Sequence, residues 1–419
     1  MWKDSLRVGF LLGIRQICHA SKWTSGLIVL VMMLTLINLV VVSGILVGII
    51  EGSVKAHGDQ FTGDIFLSTK AGKDTIEQSR NILATIESIP GIYHYTARYT
   101  QGAQLEANYR ERRDPKELRD TVNTTLVGLN PEMEDEVTGL SRMVIEGEYL
   151  TSDDTGYVLL GSMNLEQYSP LGKGDEFGFP TLSNISIGSR IQVKVGGATK
   201  EYIVKGIVDT KVDQVSMRVF LPEHEFVRLT KRSDLNVNEI AIRVKKKVEL
   251  IKIKQALLDS GVDRNAVVRT LREGLPSFLL DMIDTMTMLG NVISSMSLAV
   301  SSVTIFIVVF VNAITRRKYI GILKGIGIRA EAIELSYVFQ SLFYVIMGST
   351  VALVLIYTML IPFFNSHPID FPFSDGILVA PLASTIFKLT ILIFSTIIAG
   401  YIPARMIIKR NTLDSILGR

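Results

Sequence analysis

Four long stretches without a charged side chain constrain this sequence more than anything else in it. Trp23 to Ile50 contains no Asp, Glu, Lys or Arg for 28 residues, Thr285 to Thr315 for 31, and Leu335 to Ile369 for 35. About 20 apolar residues cross the hydrocarbon core of a bilayer, so each run is long enough to span it. The fourth, Leu389 to Ala404, has 16 residues. It reaches an adequate length when the helix begins near Leu382, with Lys388 extending its amine toward the headgroups. Part of the third run, Pro362 to Pro368, is expected as a loop. The expected architecture is a membrane protein with four transmembrane α-helices and a large α+β extracytoplasmic domain inserted between helices 1 and 2. Its segments are a cytoplasmic amphipathic helix at 1–22, spans at 23–50, 285–315, 335–361 and 382–404, the domain at 51–284, a cytoplasmic coupling loop at 316–334, an external loop at 362–381 and a tail at 405–419.

Orientation follows from the short flanks. The first 22 residues carry Lys3, Arg7, Arg15 and Lys22 against Asp4. The 316–334 connection carries five basic residues, and Arg405, Lys409, Arg410 and Arg419 follow the last run. The loop between the third and fourth runs has Asp370 and Asp375 and no Lys or Arg. Basic flanks stay inside, which predicts cytoplasmic termini, a cytoplasmic 316–334 loop and an external 51–284 segment. The first run is too long for the apolar region of a signal peptide and is read as a retained span.

Between the first two runs the pattern changes. Asp64 to Thr69 and Ile203 to Val208 alternate like half-buried strands, whereas Thr75 to Ile89 and Glu249 to Leu258 place apolar residues at helical spacing. Pro90-Gly91, Pro131 and Gly172 to Gly174 mark loops. The only cysteine of the chain is Cys18, so the domain must fold on its apolar core alone. From Pro276 to Thr315 the helical pattern continues for 40 residues. A continuous helix of that length is about 60 Å long, twice the hydrocarbon thickness. The second span would then project as a stalk; the alternative is a break near Asp281 to Asp284.

Chemistry is scarce. No Gly-x-x-x-x-Gly-Lys-Ser/Thr loop occurs, and Gly72-Lys73-Asp74 and Gly172-Lys173-Gly174 lack its spacing and its hydroxyl. The five histidines are scattered without metal-ligand spacing, and no Gly-x-Ser-x-Gly elbow is present. An enzyme is not supported, and no cofactor or metal is expected on this chain. Net charge is only +3, so nothing points to nucleic acid. Gly44 and Gly48 form a Gly-x-x-x-Gly pattern that lets helices approach closely, within the chain or between copies. Lys388 is either a functional intramembrane charge or a snorkelling one. Leu6, Phe10, Ile14 and Ile17 share a helical face with Arg7, Arg15 and Lys22 on another. That suits an amphipathic helix on membrane lipid, and equally a plain topogenic flank.

The connection after the second span reads Arg316-Arg317-Lys318-Tyr319-Ile320-Gly321-Ile322-Leu323-Lys324-Gly325-Ile326-Gly327-Ile328-Arg329-Ala330. Ile320, Leu323, Ile326 and Ile333 are expected as an apolar stripe on a short helix, with basic residues around it. Such a stripe is buried on lipid or docked in the groove of another protein.

This stretch resembles the signature of the MacB/FtsX-type ABC transporter permeases, approximately R-R-x-E-I-G-I-L-[KR]-A-[IL]-G-A. Gly400-Tyr401-Ile402-Pro403-Ala404-Arg405 resembles that family's last-span ending. Gly128-Leu129-Asn130-Pro131, Glu146-Gly147-Glu148-Tyr149-Leu150, Val158-Leu159-Leu160-Gly161 and Ile187-Gly188-Ser189-Arg190-Ile191 are similar, in order, to its periplasmic core domain. Tyr319, Gly325 and Thr412 depart from the usual acidic residue, Ala and Pro. The resemblance implies a permease subunit in the bacterial plasma (inner) membrane. Its partners would be a cytoplasmic ABC ATPase subunit carrying ATP and Mg, a second permease copy or paralogue, and a periplasmic adaptor or carrier. It also implies ATPase coupling through Arg316, Arg317, Ile320, Leu323, Lys324, Ile326 and Arg329. Macrolide-exporter and lipoprotein-releasing permeases match about equally, so export and release both stay open. The runner-up is an FtsX-like signal transmitter that activates a cell-wall hydrolase without transport, and a non-ABC receptor or sensor is the third reading.

Overall fold

The computed structural model describes residues 2–110, 119–168, 180–245, 248–315, 317–367, 369–371, 374–376 and 378–408. The loop signal at Gly172 to Gly174 and the tail positions Lys409, Arg410, Thr412 and Arg419 lie outside the described residues, as does Arg316. The chain falls into two compact units, one built on Glu51–Leu280 and the other on the sequence before and after it.

The first unit is α+β. Its strands are β1 Ile65–Ser68, β2 Ile92–Ala107, β3 Asp120–Leu129, β4 Val144–Gly147, β5 Tyr157–Gly161, β6 Arg190–Val195, β7 Ala198–Val208, β8 Arg218–Pro222, β9 Glu239–Val244 and β10 Val267–Thr270. They form one ten-stranded sheet in the order β10-β1-β9-β2-β3-β8-β5-β7-β4, with β6 bridging β2 and β7. That bridge closes a ring, because β2, β3, β8, β5, β7 and β6 pair successively and β6 returns to β2. A closed ring leaves few edges to be protected. Side chains alternate across it. Leu126, Val158, Leu160, Val219 and Leu221 enter one apolar cluster, and their neighbours Val127, Leu159 and Phe220 enter another.

Local chemistry explains the quoted motifs. Asn130 caps the helix Pro131–Thr138 by accepting from the Met133 N–H at 3.1 Å, with Pro131 in the first turn. Gly147 sits at φ +80, where a Cβ would lie 2.2 Å from the Lys205 carbonyl oxygen, so only glycine fits. The expected helix over Thr75 to Ile89 begins only at Ser79 and ends at Ser88. Gln78 takes a left-handed conformation, and the Ser79 hydroxyl is used instead by the Ile76 carbonyl and the Val237 N–H.

A buried ionic network crosses this unit. Arg98 and Glu134 are 2% and 3% exposed and pair in a fork, Nε to Oε2 at 2.8 Å and a second nitrogen to Oε1 at 2.7 Å. Glu134 also accepts from the Thr96 and Thr138 hydroxyls. Arg218 forks onto Glu239 at 2.8 and 2.7 Å. Phe61 lies between the two guanidiniums, 5.2 Å from Arg98 and 4.7 Å from Arg218.

The second unit holds long helices. Among the described residues four segments are long and apolar enough to cross a membrane: Lys22–Thr62, Ser277–Thr315, Ala330–Ser366 and Leu382–Ile408. Residues 281–284 lie within one unbroken helix, Ser277–Thr315. The third segment runs on through Pro362 to Ser366, where the sequence predicts a loop. Five residues, Ile356–Leu360, form a π-helical turn, and the Ile361 N–H reaches back to the Ile356 carbonyl. The changed register falls next to the one residue that has no N–H to donate. The fourth helix likewise continues past Pro403 to Ile408.

Small residues hold this unit together. A Cβ on Gly348 would lie 2.6 Å from the Met32 Cβ, and one on Gly400 would lie 2.6 Å from the Ser341 hydroxyl. The N-terminal helix Trp2–Cys18 packs on Ala330–Leu355 in the same manner.

Candidate functional site

The connection between the second and third long helices contains a nine-residue helix, Arg317–Gly325. A Schellman turn ends it. The Gly327 N–H donates to the Lys324 carbonyl, and the Ile328 N–H to the Leu323 carbonyl, both at 3.0 Å. Gly327 has φ +92, the left-handed value this turn requires. Leu323 and Ile328 both pack on the core of the bundle, supplying the apolar contact that accompanies the motif. The chain then enters Ala330–Leu355 with Arg329 as its N-terminal flank.

The predicted stripe divides between two faces. Ile320 is 3% exposed and belongs to the bundle core, and Leu323 is half-buried against it. Ile326 is 70% exposed. Three-residue steps advance only about 300° on a helix, so Ile326 falls about 240° round from Ile320. The outer face is formed instead by Tyr319, Ile322 and Ile326, at helical spacing and 70%, 52% and 70% exposed. Lys318 and Arg329 are exposed beside it. Tyr319 and Ile322 were not among the predicted coupling residues, although their i, i+3, i+7 spacing with Ile326 was available.

The basic residues have separate surroundings. Lys324 donates from Nζ to the Ile408 carbonyl at 2.6 Å, tying the short helix to the end of the fourth long one. Arg317 lies in the helix itself, and Arg329 is exposed. Gly44 and Gly48 are buried. Gly44 lies where a Cβ would approach Leu378 Cδ1 and the Val379 carbonyl oxygen to 2.8 Å, so its close contact is within the chain. Lys388 donates to the Ser43 hydroxyl on the first long helix. Among the described residues no group of three His, Cys, Asp or Glu could hold a metal ion.

Comparison with known proteins places this loop inside a recognised module. Residues 291–412 match the family described as FtsX-like permease C-terminal. The crystal structure of the periplasmic region of MacB from Actinobacillus actinomycetemcomitans is similar at 14% identity, covering 50% of this chain and 90% of that one with a TM-score of 0.34. The extracellular domain of the noncanonic ABC-type transporter YknZ from Gram-positive bacteria is similar at 13% identity, covering 49% and 99% with a TM-score of 0.31. No curated protein matches. The chain thus combines four helices long and apolar enough to cross a membrane, as in a multi-pass membrane protein, with a match to the FtsX-like permease C-terminal family over residues 291–412.

Proposed function

We propose that this chain is the permease subunit of an ATP-driven ABC transporter, working beside a second permease copy or paralogue. Both termini and the 316–334 connection would be cytoplasmic, in a bacterial plasma membrane. The observation that carries the reading is the two-faced loop helix inside the permease module. Ile320 holds it to the bundle while Tyr319, Ile322 and Ile326 stay exposed. Burying one such side chain in a partner's groove contributes about 1.5–3 kcal/mol, so the three together offer an apolar anchor for docking. The sequence has no phosphate-binding loop, so ATP and Mg would be held by the partner subunit. Push and pull on the docked face would reach the bundle through Ile320, through the turn at Gly327, and through the Lys324 bond to Ile408. Work would then be delivered to the α+β domain for substrate export or lipoprotein release.

A second reading uses the same parts. The same loop helix and external domain would equally serve an FtsX-like signal transmitter whose external domain activates a cell-wall hydrolase without transport. Isolation of the intact chain in mild detergent separates the two. An ATPase with an adaptor or lipoprotein carrier supports transport, and an ATPase with a cell-wall hydrolase supports signalling. Recovery with no ATPase under conditions that keep the bundle folded overturns both.

A further inference from the structure

The α+β domain holds a cavity of about 970 Å³, the size of an ordinary small-molecule site. Strands β3 and β8 supply Val122, Thr125 and Arg218 to its walls, and β1 and β9 supply Phe66 and Glu239. Phe61, Phe66 and Leu275 make much of the lining apolar, and Met163 and Met217 add side chains that adapt to shape. A smaller chamber of about 180 Å³ adjoins it, since Gln214 and Pro276 line both. His57 lines that chamber and meets the Phe61 ring edge-on at 5.3 Å.

Several polar groups in these walls lack protein partners. His57 is 2% exposed and its Nε2 has no hydrogen bond, a costly state for a buried polar atom. The Thr125 hydroxyl and the Gln214 amide make no hydrogen bond among the described residues. Arg218, Glu239 and Arg269 are the charged side chains that line the main cavity. Arg218 and Glu239 neutralise each other through their fork. Arg269 is exposed, and its guanidinium has no ion pair or hydrogen bond among the described residues. The cavity therefore combines apolar walls with three unmatched hydrogen-bonding groups and one unmatched positive charge.

We propose that this cavity binds an anionic amphiphile. Its apolar body lies against Phe61, Phe66 and the two methionines, its charged end pairs with Arg269, and a hydrogen-bonding group at its far end meets His57. The assignment rests on the α+β domain alone, so it can fail without touching the ATPase contact. The full chain in phosphatidylcholine nanodiscs is irradiated with alkyl diazirine probes of equal length carrying a sulfate or a trimethylammonium head. Labelled residues are then mapped by mass spectrometry. The sulfate probe should label Met163 and Met217 about fivefold more than the trimethylammonium probe, and Arg269→Gln should abolish that preference. Arg269→Lys should retain it, which separates charge from a folding defect. A hydroxyl added to the tail of the sulfate probe should raise labelling in the unaltered chain but not in His57→Phe, which keeps a ring against Phe61. A gain that survives in His57→Phe removes the side chamber from the site. Equal labelling by the two heads overturns the anionic class. Labelling of the two methionines no higher than that of Met296, outward on the second long helix, overturns the site itself.

Discussion

In the α+β domain Leu105, Val158, Tyr202 and Phe226 have no exposure at all, and the unit is closed by large side chains meeting across a ring of strands. In the bundle the tight contacts are Gly348 on Met32 and Gly400 on Ser341, while Met288, Met296 and Val300 point outward at 69%, 63% and 67% exposure. Water rewards burial of apolar area, so the domain puts its bulk inside. Lipid offers no such reward, so the bundle gains contact by bringing backbones together over small residues. The domain can also contain a paired charge network, Arg98–Glu134 and Arg218–Glu239, whose geometry is complete only while every partner is present.

The largest break in this comparison should come from that network. Glu134→Ala leaves the Arg98 guanidinium buried with its main partner gone, which costs about 3–5 kcal/mol. Thermal or urea unfolding of the domain should shift accordingly, and an unchanged midpoint would mean that the network adds nothing. In the bundle the corresponding test adds atoms rather than removing them. Gly348→Leu forces the first and third long helices apart at Met32 and should cost about 1–3 kcal/mol, read as a lower detergent-unfolding temperature. Val300→Leu, outward on the second long helix, is the control that should leave it unchanged.

How much of this was legible in the sequence differs between the same two regions. Three of the uncharged runs lie wholly inside long helices and the remaining one, Leu335 to Ile369, outlasts its helix by three residues, because charge exclusion is what lipid imposes. Helix ends were not legible from charge, since Glu51 and Lys55 continue the first helix to His57 without interruption. Pro362 misled because a π-helical turn can absorb a missing N–H. In the domain, strand-like and helix-like stretches could be recognised but strand order could not, since the β2–β6 closure joins residues ninety positions apart, Gln104 to Lys194. Periodicity of large apolar residues marked the N-terminal helix as amphipathic. It pointed away from Gly9 and Gly13, whose spacing carries the packing instead. The stripe expected over Ile320, Leu323 and Ile326 divides between two faces for a simpler reason, the drift of a three-residue repeat around a helix.

A smaller effect separates the two units by pH. Glu201 is held down to about 2 by the Tyr109 hydroxyl, Arg190 and Arg110. Burial pushes Glu239 up, but Arg218 and Arg98 outweigh it and its carboxyl is lowered. A carboxyl lowered by folding stabilises fully above its ordinary value of 4.5, and that contribution fades as pH falls toward the folded value. Domain stability should therefore decline from about pH 4.5 toward 2. The Glu201 share should shrink in high salt because that cluster is solvated. An equal decline in bundle unfolding would remove the contrast.

The central claim is that the loop helix faces two ways, and paired substitutions within it test this most directly. Ile322→Asp and Ile320→Asp are compared for ATPase co-purification, ATP turnover of the isolated complex and unfolding temperature of the bundle. The account predicts that Ile322→Asp loses the ATPase and its stimulated turnover at an unchanged unfolding temperature. Ile320→Asp should lower the unfolding temperature, because that side chain is 3% exposed in the bundle core. Retention of the ATPase and of full turnover by Ile322→Asp would contradict the account, and the outer face of the helix would then serve lipid rather than a motor.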